Sequence, residues 1–515
     1  MHPETASSPC VEMHGITKKF GTVLANDNAS LSVNRGEILS LLGENGSGKT
    51  TLVNILAGIY LPDSGFVSID RKECRFRSPH NAIAAGIGMV HQHYKLIPVM
   101  NVWENISLGN EHAGRRHYNP FIKKKQIIKK ISAFEEQFGL KLNHYKKIYN
   151  MSIGEKQTVE LLKLLFRGAQ ILILDEPTAV LTPQEIKKLF FMLRKMKQEG
   201  CAIIIITHKL NEVMEISDRV TVMRKGKTVE TVATGLTNPR QLAGMMVGTS
   251  VSLEIERAKP KTSENPVLEV KNLCCRGQQK ELLFDGISFN LYSGEILGLA
   301  GIAGGGQNEL CETIAGIRKA SAGEIKFHGE GLLGLMLRKT GKKEELMSYL
   351  PEDRLGMGLV GNMSIADNIL LRYINKTPGI FVSRSAVNKL AQEIVERYNI
   401  SSPSIHHKVR MLSGGNIQKV LLGREISLDP SVLIAAYPVH GLDIHSSYYI
   451  YNVLNEQKKK GVAILYAGED LDVLMELCDR LMIFCNGKLA AIVDPQKISK
   501  EDIGLLMMTG IRKSA

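Results

Sequence analysis

The chain has 515 residues, 44% of them hydrophobic, and a formal net charge of +13, a length that fits two or more domains, each with its own core. No apolar run approaches the roughly 20 residues of a membrane-spanning helix; stretches such as Ala202 to Ile206 are strand-sized. Met1 to Cys10 lacks a basic segment followed by an apolar one, so no secretion signal is read and the chain is expected to stay in the cytosol.

In chain order, Phe20 comes first; its ring can stack on a base or serve as a core residue. The apolar run Ile38 to Leu42 reads as a buried strand, and Thr51 to Ala57 as a helix. Between them Gly43, Glu44, Asn45, Gly46, Ser47, Gly48, Lys49 and Thr50 spell GxxxxGK[ST], with Thr51 following. Each residue type has a reason to be there. Glycines let backbone N–H groups converge on phosphate oxygens, lysine adds positive charge, and threonine can hold Mg²⁺. The strand, loop and helix order sets the phosphates at a helix N-terminus.

Gln92 follows Gly88-Met89-Val90-His91 and opens the stretch that leads away from the core, where an amide can touch both Mg²⁺ and a moving element. Residues 93 to 150 are lysine-rich, and Ile127, Ile131, Phe134 and Phe138 recur at helical spacing, which predicts a helical subdomain. The lysines at 123–125, 129–130 and 146–147 suit an anionic partner or are simply a solvated face. Ser152-Ile153-Gly154-Glu155 has capping-box spacing at the start of the next helix.

The apolar run Ile171 to Leu174 ends in Asp175 and Glu176. There Asp175 can hold Mg²⁺ and Glu176 can orient or deprotonate an attacking water, unless the pair caps the next helix. His208 follows the strand Ala202 to Thr207, and its ring can sense a γ-phosphate or play a structural part. The eight cysteines include no CxxC pair, which argues against a zinc site or a disulfide framework.

Most of these features recur. Gly36-Glu37-Ile38 returns as Gly294-Glu295-Ile296, 258 residues on (294 − 36), and Asp218-Arg219 as Asp479-Arg480, 261 on (479 − 218). The reading is α/β: two tandem P-loop NTPase domains, at 1–249 and 265–515, each a mainly parallel sheet with a helical subdomain, joined by a polar linker at 250–264. The second copy of the loop, Gly301 to Asn308, lacks the lysine. Its counterpart of Ser152 to Glu155 is Leu412-Ser413-Gly414-Gly415-Asn416, where serine and glycine amides at a helix start can bind an anion.

Phosphate loop, glutamine, Leu-Ser-Gly-Gly turn, Asp-Glu strand and histidine, in that order, resemble the ATP-binding cassette (ABC) family. Over nearly its whole length the chain is similar to the duplicated ATPase subunits of bacterial importers for ribose, other simple sugars and nucleosides. Met89 to His93 with Trp103 to Ile106, and Pro351-Glu352-Asp353-Arg354 with Ser413 to Lys419, carry the likeness. The resemblance implies ATP and Mg²⁺ as ligands, held by Phe20, Gly43 to Thr51 and Ser413, Gly414, Gly415 and Asn416. It implies Thr50, Gln92 and Asp175 at the metal, and Glu176, His208 and Gln92 in catalysis. It further implies head-to-tail pairing, in which each ATP lies between one cassette's phosphate loop and the other's Ser-Gly-Gly turn.

On that scheme Gln307, Asn308, Glu352, Ala436, Tyr437 and Glu469 gather the losses into one site and leave the other competent. The implied partners are two transmembrane permease subunits and an extracytoplasmic solute-binding protein. The chain would lie peripherally on the cytoplasmic face of the bacterial inner membrane, with no nucleic acid. Cargo can be a sugar, a nucleoside or a vitamin such as riboflavin. The competing classes are a soluble twin cassette acting on ribosomes or DNA, and a nucleotide-binding regulator without turnover. The short linker and the absent CxxC pairs disfavour the first, and Glu176 and His208 the second.

Overall fold

The computed structural model describes residues 9–91, 94–108, 124–179, 181–248, 255, 257–258, 265–277, 281–302, 304–331, 347–374 and 383–511. The chain divides into two compact units, Met1–Ser252 and Leu253–Ala515. Nearly all of the expected linker 250–264 lies outside the described residues, as does Gln92.

The first unit holds a six-stranded sheet in the order Lys227–Ala233, Arg219–Arg224, Ile38–Gly43, Ala202–Thr207, Ile171–Asp175, Ile87–Val90. Five strands run parallel, and Lys227–Ala233 pairs antiparallel at the edge. The central strands are apolar along their length because both faces are covered. Leu39, Leu41, Ile204 and Ile206 enter one cluster, with Val11, Met13, Leu31 and Leu52. Their neighbours Ile38, Ile203, Ile205, Leu172 and Leu174 enter another, with Val159, Leu162, Phe166 and Phe190. Each such side chain, fully buried, contributes roughly 1.5–3 kcal/mol.

A four-stranded antiparallel sheet, in the order Val23–Val33, Val11–Phe20, Ser64–Ile69, Lys72–Cys74, forms a second layer that the sequence reading did not anticipate. The helical region is as expected where it is described. In the helix Lys124–Phe138, Ile131 and Phe138 are buried, and Ile127 and Phe134 pack against the same cluster.

The second unit repeats this plan. Its six-stranded sheet runs Met347–Leu350, Val432–Ala436, Ala463–Ala467, Ile296–Ala300, Arg480–Cys485, Lys488–Val493, beside a four-stranded antiparallel sheet of its own. Among the described residues no helix is long and apolar enough to cross a membrane.

Candidate functional site

Parallel register is what assembles the first unit's site. Leu42 is paired with Thr207, and Asp175 with Ile206, so the residues that follow each strand emerge at the same sheet edge. Gly43 opens the phosphate loop there, Asp175 ends its strand with Glu176 following, and His208 leads away from the third.

The loop is held by backbone geometry that only glycine tolerates well. Gly48 has φ +95°, and a Cβ on it would meet Asn26 Nδ2 at 2.7 Å and press on the Ala25 carbonyl. Buried Asn26 in turn donates to the Gly48 carbonyl at 3.1 Å. Ser47 N–H closes the turn onto the Glu44 carbonyl at 3.1 Å. The helix Lys49–Leu56 then begins, with no side-chain cap on its N-terminus. Asn45, Gly46 and Thr50 are exposed, while Glu44 and Thr51 are half-buried.

Lys49, only 7% exposed, lays its ammonium on the loop, donating to the carbonyls of Gly43 at 2.7 Å and Glu44 at 2.8 Å. Burial pulls its pKa down to about 8, against the pull of Glu176, Asp175 and Glu44. Burial and the neighbouring Glu176 raise Asp175 to about 6, with Lys49 opposing. Glu176 moves the other way, lowered first by its hydrogen bond with His208, whose Nδ1 is 3.1 Å from Oε1. The carboxylate is therefore ionised at neutral pH.

Two alternatives left open by the sequence are resolved here. Asp175 and Glu176 are not a helix cap, since the helix Pro183–Gln198 is capped by Thr182 in a capping box with Glu185. Phe20 is not a core residue: it is 42% exposed, edge-on to Tyr60 at 5.1 Å, with Lys18 5.5 Å from the ring centroid.

The residues fit a Mg-nucleotide. Ser47 Oγ is buried with no hydrogen-bond partner among the described residues, Lys49 already points into the loop, and Thr50 and Asp175 are hard oxygen donors of the kind Mg²⁺ takes. Glu176 also adopts a left-handed φ of 47°, and its N–H donates to the Ile206 carbonyl at 2.9 Å.

The second unit keeps this backbone and changes its chemistry. Gly306 has φ +101°, and Tyr437 has φ 48° with its N–H on the Ala467 carbonyl at 2.9 Å. Gln307 stands at the lysine's position, Asn308 at the threonine's, and Glu469 at the histidine's. His440 Nδ1 lies 2.9 Å from Glu469 Oε1. The imidazole–carboxylate pair thus survives with its two members exchanged between segments, a feature no motif signalled because the partners are 29 residues apart.

The two helix-start turns differ as well. Ser152 and Glu155 form a full capping box, in which the Glu155 carboxylate accepts from Ser152 N–H and the Ser152 hydroxyl from Glu155 N–H, and Glu155 also binds Lys146 at 2.7 Å. Ser413 makes no side-chain cap bond to the helix Gly414–Ile426. Instead Asn416 bonds Ser413 Oγ at 2.9 Å and accepts from Ser401 N–H at 2.9 Å, and Ser413 and Gly414 are exposed. The second turn thus lacks the carboxylate-bonded capping box of the first.

Comparison with known proteins agrees with this geometry. The ABC transporter family model matches residues 26–179 and 284–438. The chain is 40% identical to the nucleoside import ATP-binding protein NupA of Lactococcus lactis subsp. cremoris over 98% of its own length and 99% of that protein's. It is 39% identical to the guanosine import ATP-binding protein NupO of Bacillus subtilis, over 98% of each chain. To the glucose import ATP-binding protein TsgD13 of Haloferax volcanii it is 36% identical, over 98% and 96%. With one phosphate loop in each unit and a family match in each half, the chain belongs to the ABC transporter family and carries two tandem ATP-binding cassettes.

Proposed function

We propose that this chain is the ATPase subunit of an importer, that it hydrolyses ATP at one site built on the first unit's phosphate loop, and that the cargo is a nucleoside. The observation that carries the reading is the contrast between two units built on one sheet plan. Lys49, Asp175, Glu176 and His208 are gathered at one of them, while Gln307, Ala436, Tyr437 and Glu469 stand at the other. Losing the lysine contact costs roughly 1.5–3 kcal/mol, and losing a general base about 10² to 10⁴ in rate. The second unit lacks both.

In the first unit the loop N–H groups and Lys49 bind the phosphates, and Phe20 offers its exposed ring to the base. Ionised Glu176 orients the attacking water and accepts its proton at a carboxylate oxygen. His208, bonded to Glu176, reports on the terminal phosphate. Thr50, Asp175 and Gln92 would hold Mg²⁺, whose chemistry is to neutralise charge on the phosphates. The Ser413–Asn416 turn completes the site in the head-to-tail pairing that the family resemblance implies. Closure and release of that pairing gate the transport cycle.

Partners on this reading are two permease chains and an extracytoplasmic binding protein, with the chain on the cytoplasmic membrane face. The nucleoside preference rests on the relatives, 40% and 39% identical for nucleoside and guanosine import against 36% for glucose import. The test is uptake into proteoliposomes containing the chain and its co-purifying permeases, with ATP inside and labelled nucleoside, ribose or riboflavin outside. Nucleoside uptake that depends on Glu176 supports the proposal. ATPase activity that needs ribosomes and no permease would sink it.

A further inference from the structure

The second unit's loop looks emptied of chemistry by sequence, but its side chains are not idle. Gln307 Nε2 donates to the Ile302 carbonyl at 3.0 Å. That carbonyl is the counterpart of the Glu44 carbonyl under Lys49, so a neutral amide copies one of the lysine's two bonds without its charge. Next to it, Asn308 Nδ2 donates to Glu352 Oε2 at 2.5 Å. These residues occupy the positions of Thr50 and Gln92, the pair expected to meet through a metal ion. Here they bond directly. His440 and Glu469 tie the segment after Tyr437 to the segment after Ala467 in the same way.

Around these bonds lies a cavity of about 270 Å³ whose wall includes Asn308, Glu312, Tyr349, Glu352, Asp353 and His440. Three of those six are carboxylic acids, and Glu312 is matched by Arg318 at 2.7 Å. Two acids, Glu352 and Asp353, therefore remain on the wall beside His440, and neutral Gln307 stands at the position of Lys49. Without that lysine the acids work against a polyphosphate there, and Asn308 Nδ2 is already spent on Glu352, while its Oδ1 is buried with no hydrogen-bond partner among the described residues.

We infer that Gln307, Asn308 and Glu352 restrict the chain to a single nucleotide: the second unit's loop excludes nucleoside triphosphates, and its own side chains make the cross-links that a bound Mg-nucleotide makes in the first. The inference rests on the assignment of the first unit as the competent site and deepens it. The second unit holds a fixed, nucleotide-independent arrangement, so only one ATP per chain enters the transport cycle.

Equilibrium dialysis of the full chain against labelled ATPγS and Mg²⁺, carried to millimolar nucleotide, tests this. The wild type is expected to saturate at one equivalent. The triple variant Gln307→Lys/Asn308→Thr/Glu352→Gln, checked for an unchanged denaturation midpoint, is expected to saturate at two. The near-isosteric Glu352→Gln alone is expected to tighten second-equivalent binding roughly tenfold or more. Two equivalents on the wild type, or one on a folded triple variant with no tightening in Glu352→Gln, overturns the inference. Lys49→Met separates the two failures: two equivalents on the wild type, one of them weakened by Lys49→Met, counts against exclusion alone, whereas a sole equivalent that survives unweakened counts against the first unit's loop and against the inference that rests on it.

Discussion

Replacing Lys49 by methionine isolates the charge at the phosphate loop. The side chain keeps its length and apolar stem but loses the ammonium that bonds Gly43 and Glu44. The shift from 10.5 to about 8 is worth about 3 kcal/mol against the charged form, so the fold itself gains little from that charge. At pH 7, one unit below that value, roughly 90% of the chains still carry it. Nucleotide phosphates add to the counter-charge of Glu176, Asp175 and Glu44, so the benefit of the ammonium is realised on binding. Lys49→Met is therefore predicted to weaken Mg-ATP binding by about 1.5–3 kcal/mol, roughly 10- to 150-fold, without lowering the urea midpoint. Fluorescence titration with a MANT-labelled nucleotide, alongside chemical denaturation, reads both quantities. Affinity within twofold of wild type would refute the reasoning, and so would a fall in stability large enough to explain the loss.

The same geometry makes two further predictions. His440 has a raised pKa, first through its hydrogen bond with Glu469 and then through the charges of Glu469 and Glu352, with burial and Arg354 opposing. The pair's contribution to stability is thus fully present below the ordinary histidine value and is lost as pH rises through the folded pKa. Glu469→Gln should lower the His440 midpoint in an NMR titration of its ring, and an unmoved midpoint would contradict the pairing. Lys458 is fully buried with its ammonium 2.7 Å from Asp479, which Arg257 also approaches at 3.3 Å. Lys458→Met should destabilise the second unit by about 3 kcal/mol, whereas Lys459→Ala, at an exposed pair with Glu456, should cost under about 1 kcal/mol in the same urea titration.

Much of this molecule was legible in its sequence because the core strands are covered on both faces. Runs such as Ile171 to Leu174 have no polar face to disguise them, and glycine spacing at Gly43 to Gly48 fixed a loop between strand and helix. The antiparallel layer was not legible for the opposite reason. The strand Val11–Phe20 carries irregular register after Met13, with Gly15 at φ +61°, so its alternation is broken. Within the site, each member of the Glu176–His208 pair was singled out by its position after a strand. The sequence placed Asn308, Glu352 and Glu469 in one site, but not the direct bonds Asn308–Glu352 and His440–Glu469, which join residues 44 and 29 positions apart, nor His440 as a member. The distinction between Ser152 and Ser413 was half legible: the S-x-x-E spacing predicted the capping box, but not that Asn416 would hold Ser413 away from the cap role.

Hydrolysis is assigned to the first unit alone, and rapid-quench measurement of ATP cleavage by the Glu176→Gln chain decides whether it belongs there. The substitution keeps size and leaves an amide beside His208, so ATP should still bind. Cleavage should fall by about 10² to 10⁴, equivalent to about 3–5 kcal/mol of barrier, and adding Tyr437→Glu should restore almost none of it. Cleavage by Glu176→Gln at a rate comparable to wild type would contradict that assignment.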